Sequence, residues 1–308
     1  MSVASLIARG NGLFGVSVMS EAQRAEVLPR VASGKWLGAY ALSEAGAGSD
    51  IANMSCRARR DGGDWVITGN KYWCTFADGA DYIMVMARTS ERDDARPHAG
   101  LSAFIVPKPR GTLPAGVSGN PIPKIGYFGW KTWELRFDNC RVPAEAILGK
   151  EGQGFYMAQS GLELARAHTA ARSIGLARGA LEDSIHYAKS RVQFGEPIAN
   201  FQSIRFKIAD MATQIEAARQ LMYFVCSALD SGRRCDLEAG MVKYFAAEMA
   251  ERVTSEGLQI HGGAGFTTLY AAERYWRDAR LTRIFEGTSE IQLRIISDKL
   301  LGRPGRDG

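Results

Sequence analysis

The sequence predicts an α+β protein, a small antiparallel β domain followed by a C-terminal helical bundle, and three observations carry that expectation. Between Gly38 and Pro143 short runs rich in β-branched and aromatic residues alternate with turn signals. From Gly154 to Leu301 the apolar residues recur at helical spacing. Glycine and proline gather between those helical runs, at Gly195–Pro197, Gly232, Gly262–Gly265 and Gly287.

Taken in order, residues 1–37 read as a helical front piece. Ser20, Glu21 and Gln23 open a segment whose Val27, Leu28 and Val31 are helix-spaced. Residues 38–150 read as the β domain, with strands at Ala39–Ser43, Met54–Arg59, Trp65–Thr68, Tyr82–Arg88, Ser102–Val106 and Trp133–Phe137. Asp61-Gly62-Gly63-Asp64 and Gly69-Asn70 are expected to be hairpin turns between them. Close spacing of short strands points to a sandwich or barrel. Residues 151–308 read as a four-helix bundle, through Leu162, Ile174, Leu181, Ile185, Ile204, Ile208, Met211 and Ile215. A dinucleotide-binding βαβ unit is disfavoured, because Gly46-Ala47-Gly48 opens no helix.

Composition narrows the classes. At 308 residues the chain has room for about two domains. It is 46% hydrophobic and 23% charged, with a net charge of +5 spread without basic runs, which disfavours a nucleic-acid surface and suits an anionic ligand. The five cysteines form no CxxC pair and the four histidines no metal-ligand spacing, so no metal site is expected and a reducing cytoplasm fits. No apolar run spans a bilayer, and Arg9 with three glycines interrupts the moderately apolar stretch from Met1 to Met19.

Three segments carry more than fold. Tyr40–Asp50 leads a strand into a loop of glycines, a hydroxyl and small residues, where backbone can approach a ligand; alone it could be a tight turn. Gln259-Ile260-His261-Gly262-Gly263-Ala264-Gly265-Phe266 is a glycine-rich break that alone reads as an interhelical turn. Ile284-Phe285-Glu286-Gly287-Thr288-Ser289-Glu290 places a carboxylate just ahead of an apolar helix, which alone reads as a helix start.

In this order, with Thr68-Gly69-Asn70-Lys71-Tyr72-Trp73-Cys74-Thr75 between the first two, these segments strongly resemble the acyl-CoA dehydrogenase family. Arg191-Val192-Gln193-Phe194-Gly195 with Phe201-Gln202, and Phe137–Pro143, extend the resemblance from about Leu13 to Leu301. It implies FAD as cofactor, an acyl-CoA substrate and an electron-transfer flavoprotein as electron acceptor. It further implies a homo-oligomer built as a dimer of dimers, or a heteromer with a paralogue.

The resemblance also implies roles. Tyr40, Leu42, Ser43 and Ser49 would lie on the flavin, with Ser49 also reaching the thioester. Trp73 and Thr75 resemble a pair that packs on and hydrogen-bonds the flavin. Arg191, Phe194 and Gln202 would hold the adenine-diphosphate end across a dimer interface. Gln259, Gly262 and Gly263 would meet the same FAD, and Thr288 its phosphates, with Glu290 beside it. Glu286 resembles the catalytic base, and an apolar, water-poor site would raise its basicity toward neutral pH. Ala165 occupies the place where some relatives carry an alternative base. Glu163, Arg166, Phe285 and Gly287 would join Ser49 and Glu286 on the substrate side, with an ordinary helix salt bridge as the competing reading of Arg166.

Three positions depart from the pattern: Ala45 and Ala271 replace common prolines, and Leu269 a common acid. Family members also carry a helical domain before the Tyr40–Asp50 motif, and residues 1–37 read as a remnant of it. A partner subunit completing a heteromeric dehydrogenase and an oxygen-using oxidase-like relative are the competing functions. Co-purification with a longer paralogue marks the first, and rapid flavin reoxidation in air the second.

Overall fold

The computed structural model describes residues 15–302 and divides into two compact units, residues 15–124 with 128–161, and 125–127 with 162–302. The stretch 1–14, including Arg9 and Leu13, lies outside the described residues.

Unit 1 opens with a short 3-10 turn at Val16–Val18 and helix α1, Glu21–Ala32. Ser20 and Gln23 cap α1 reciprocally, side chain to backbone at 3.2 and 2.9 Å, so the predicted start is a capping box. Eight strands follow: β1 Gly38–Ala41, β2 Arg57–Asp61, β3 Asp64–Thr75, β4 Tyr82–Arg88, β5 Leu101–Pro107, β6 Val117–Pro121, β7 Thr132–Pro143 and β8 Ile147–Leu148. They form one sheet in the order β6-β7-β3-β2-β4-β5-β8, with β1 paired to β4. Most pairings are antiparallel as expected, but β1 runs parallel to β4 in register Gly38↔Tyr82 through Ala41↔Val85, so the sheet is mixed.

Every residue of β4 is buried, because both faces are covered. One face packs Ile83, Val85, Phe104, Trp65 and Phe137, the other Met84, Met86, Ile105, Leu148 and Val27. Burying a side chain such as Phe104 stabilises the fold by about 1.5–3 kcal/mol.

The Gly62–Gly63 hairpin is found where expected, with Asp61 opposite Asp64. Gly69-Asn70 is not a turn. Both residues lie inside β3 at a register shift against β7. Gly69 has φ +143°, and a Cβ there would stand 2.6 Å from the Cα of Cys56. The glycine serves close strand contact and a bulge, a second use of glycine that local sequence does not distinguish from turning.

Unit 2 is built on helices. Helix α2 spans Gly154–Ser190, of which residues 162 onward belong here; then come α3 Gln202–Asp230, α4 Asp236–His261, α5 Ala272–Thr282 and α6 Ser289–Leu301. Between α2 and α3 lies a two-stranded ribbon, β9 Val192–Gln193 and β10 Glu196–Pro197. The predicted glycine breaks all fall between the α-helices, with Glu196–Pro197 forming β10 and Gly262–Phe266 a 3-10 turn. Small residues dominate the core, with Ala170, Ala177, Ala218, Ala246 and Ala250 beside Met211, Ile215 and Val242, so helices approach closely.

Candidate active site

In unit 1 the loop after β1 is tied down by a pair of buried charges. Glu44 accepts bonds from Lys71 Nζ at 2.9 Å, from Ser55 N and Oγ at 2.7 Å each, and from Cys56 N at 2.9 Å. Lys71 also donates to Leu42 O at 2.9 Å. Burial works to raise the Glu44 pKa, but the Lys71 charge and the bonds from Ser55 outweigh it and hold the carboxyl below its usual range. Sequence reading missed both roles, since a lysine in a strand is expected to face water.

The same strand brings the predicted residues together. Tyr72 N donates to Ser43 O at 2.8 Å, which joins the loop to β3 one residue before Trp73. A second register shift lies between Lys71 and Cys74. Within it Trp73 takes φ +63°, a left-handed backbone uncommon outside glycine, and its indole is 56% exposed. The bulge thus turns a large flat ring outward where strand alternation would bury it. Thr75 Oγ1 lies 3.4 Å from Thr132 Oγ1. Leu42 and Ser43 are half-buried and Ser49 is exposed. Tyr40 packs against the Met84 core, where burial pushes its phenol pKa up.

In unit 2 the ribbon β9–β10 turns on Phe194 (φ +53°) and Gly195 (φ +85°). A phenylalanine carries strain there that asparagine or glycine would avoid, and its ring is 96% exposed. Arg191 and Gln202, on either side, are exposed. Gln259 is exposed on the last turn of α4. Gly262 ends that helix at φ +59°, and neither it nor Gly263 has an atom within 4 Å of where a Cβ would stand. Thr288 caps α6 by accepting from Ile291 N at 3.2 Å, and Glu290 is exposed on its first turn.

Glu286 precedes that cap at φ +55°, followed by Gly287 at φ +89°. Its carboxylate accepts from Arg172 Nη2 at 2.5 Å and from the Thr169 hydroxyl. The expectation of apolar surroundings therefore needs revising: the side chain is 26% exposed and ion-paired. Arg172 also lies over the Phe285 ring at 4.6 Å. Lys243, fully buried, donates to Gly287 O at 2.5 Å, and burial pushes its pKa down to about 8. Arg166 is buried on α2. Glu163 lies on the same helix, and its side chain is outside the described residues.

Arg172, Thr169 and Lys243 escaped the sequence reading. The available signal was polar residues three apart, Arg166, Thr169 and Arg172, on a helix otherwise packed with alanine.

Trp73 in unit 1, and Phe194 and Glu286 in unit 2, each combine left-handed backbone with an exposed or partly exposed side chain. Comparison with known proteins supplies the class of the protein. Residues 39–140 match the acyl-CoA dehydrogenase middle domain, and residues 152–301 the acyl-CoA dehydrogenase C-terminal domain. An acyl-CoA dehydrogenase of Bacillus subtilis is 44% identical over 283 residues, covering 92% of this chain and 73% of that protein. The (2S)-methylsuccinyl-CoA dehydrogenase of Cereibacter sphaeroides is also 44% identical, over 92% of this chain; the chain spans 52% of its length. The butyryl-CoA dehydrogenase structure from Megasphaera elsdenii superposes with a TM-score of 0.88 at 38% identity, over 96% of this chain and 75% of that one.

The chain belongs to the acyl-CoA dehydrogenase family. It is accordingly an FAD-dependent oxidoreductase. The described residues suit that cofactor: an outward indole, an open glycine pair and exposed polar ends are what a long, planar-headed, anionic ligand needs. No helix of the described residues is long and apolar enough to cross a membrane.

Proposed function

We propose that the chain oxidises an acyl-CoA thioester to the trans-2-enoyl-CoA, with Glu286 as the base that takes the α-proton. The observation that supports this most is the Glu286 carboxylate itself, held by left-handed backbone at a helix start and partly open. FAD, when bound, supplies the acceptor for the β-hydrogen as hydride.

The remaining work belongs to the chain. Trp73, with Thr75, Tyr40, Leu42, Ser43 and Ser49, walls the flavin and supplies its few hydrogen bonds. Arg191, Phe194, Gln202, Gln259, Gly262, Gly263, Thr288 and Glu290 hold the rest of FAD. Arg166, Glu163, Phe285 and Gly287 line the substrate side with Ser49, and the Glu286 backbone N–H polarises the thioester carbonyl. Electrons leave to an electron-transfer flavoprotein. Phe194, nearly fully exposed on its strained turn, supports a second copy of the chain completing the adenine end.

The test is spectroscopic. Flavin-loaded protein mixed without oxygen with acyl-CoAs of several lengths should bleach with one of them. Glu286→Gln should slow that bleaching by about 10²–10⁴-fold, the usual worth of a positioned general base. A Glu286→Gln variant as fast as wild type would sink the mechanism.

A further inference from the structure

The cation beside Glu286 is larger than the task of holding one carboxylate. Arg172 is 4% exposed, and only its Nη2 is engaged, by Glu286 and by Thr169 Oγ1 at 3.0 Å. Nε and Nη1 are buried and meet no hydrogen-bond partner among the described residues. Leaving charged donors idle away from water is costly, so such groups persist where something else satisfies them. The stacked Phe285 covers the face of the guanidinium and leaves its N–H edges untouched.

Glu286 is the counter-charge in contact with Arg172, and the other titratable groups that feel it among the described residues are Tyr127, His168 and Lys243. Tyr127 lies close enough for Arg172 to oppose burial, which still pushes the phenol up to about 12, so it stays neutral. Burial, seconded by Arg172, pushes His168 below its ordinary value, which favours the neutral imidazole and brings no counter-charge. Lys243 adds a second cation, engaged on Gly287 O. Lys243 also faces Glu248 and Glu290, whereas the carboxylate that Arg172 touches is Glu286, and the idle donors belong to Arg172.

We infer that Arg172 is a specificity-determining residue for an acyl group that carries its own carboxylate, which makes the substrate a CoA thioester of a short dicarboxylic acid. This rests on the reading of Glu286 as base. The substrate carboxylate takes the idle donors and draws the guanidinium away from Glu286, whose oxygens are then available to the α-carbon. Because Arg172 and Glu286 are in hydrogen-bond contact, the two ends of the acyl group they meet lie only a few bonds apart, as in succinyl or glutaryl chains. In the reaction the Cα–H bond breaks and its proton goes to Glu286. The Cβ–H bond breaks with its electron pair going to oxidised FAD, and a Cα=Cβ bond forms. The second carboxylate enters neither count. It binds and orients.

The experiment compares kcat/KM of the flavin-loaded enzyme, with a dye acceptor, for succinyl-CoA, glutaryl-CoA and butyryl-CoA. Wild type should favour one dicarboxylic thioester over butyryl-CoA by about 10–100-fold, the worth of a charge-assisted hydrogen bond made only by that substrate. Arg172→Gln should collapse the ratio toward one, and Arg172→Lys should restore part of it. A wild-type preference for butyryl-CoA overturns the inference without any variant being needed. So does an Arg172→Gln enzyme that loses all three substrates in equal proportion, since Arg172 then serves Glu286 alone. If none of the thioesters reduces the flavin, it is the dehydrogenase reading beneath the inference that has failed.

Discussion

Each unit sets a carboxylate against a buried cation, Glu44 on Lys71 and Glu286 on Arg172, and the two pairs are finished differently. In unit 1, Glu44 receives four bonds and Lys71, fully buried, spends its ammonium on Glu44 and Leu42 O. In unit 2, Glu286 keeps a quarter of its side chain in the open and Arg172 keeps two nitrogens idle. A closed network of this kind rigidifies a loop, whereas an open one stores unmet hydrogen-bonding capacity for a ligand. Completeness of the bonding, more than the presence of charge, separates the structural pair from the one proposed to be functional.

The sharpest way to break the comparison is to remove one cation from each pair. Lys71→Met should cost about 3–5 kcal/mol in urea unfolding, because Glu44 would be left charged and buried. A smaller effect is expected at Lys243, and it is read through pH. Burial is the main cause of its low pKa of about 8, opposed by Glu286, Glu248 and Glu290. The unfolded lysine titrates near about 10.4, so between those values the folded chain binds fewer protons than the unfolded one. Its burial cost is therefore full below pH of about 8 and shrinks as pH rises toward about 10.4. Lys243→Met removes that cost, so its stability relative to wild type should fall between about pH 8 and about pH 10, read as the difference in urea midpoints. A difference that stays flat would mean the ammonium is solvated. Smallest of all, Arg172→Met should change stability by about 1 kcal/mol or less, since Glu286 can reach water and two idle donors disappear. A loss as large as that of Lys71→Met would erase the distinction between the pairs.

Much of the fold was legible because its signals are local. The start of α1 is written in Ser20 and Gln23, β4 in an unbroken apolar run, and the β2–β3 hairpin in Gly62-Gly63. Glycine at 69 misled because a turn and a close strand contact ask for the same residue. The parallel pairing of β1 with β4 has no local signature, since its partners are over forty residues apart. At the candidate site the position of Glu286 was readable from its motif, but its surroundings were not. Arg172 lies 114 residues away in sequence, and Lys71 27 residues from Glu44. A charged side chain looks the same in sequence whether it faces water or a buried partner.

Helix α2 carries Thr169 and Arg172 and runs without a break to Ser190, directly ahead of Arg191 and the Phe194 turn. Each residue in such a helix rotates the chain beyond it by about 100° and advances it about 1.5 Å. One residue inserted between Ser173 and Ser190 would swing the Arg191 ribbon to another side of the helix while leaving Arg172 in place. Side chains along this span can be exchanged without disturbing that geometry, whereas its length cannot change without turning the ribbon. Insertions should therefore be tolerated at turns such as Gly232 and not between Arg172 and Arg191, where the spacing matters as much as any single side chain.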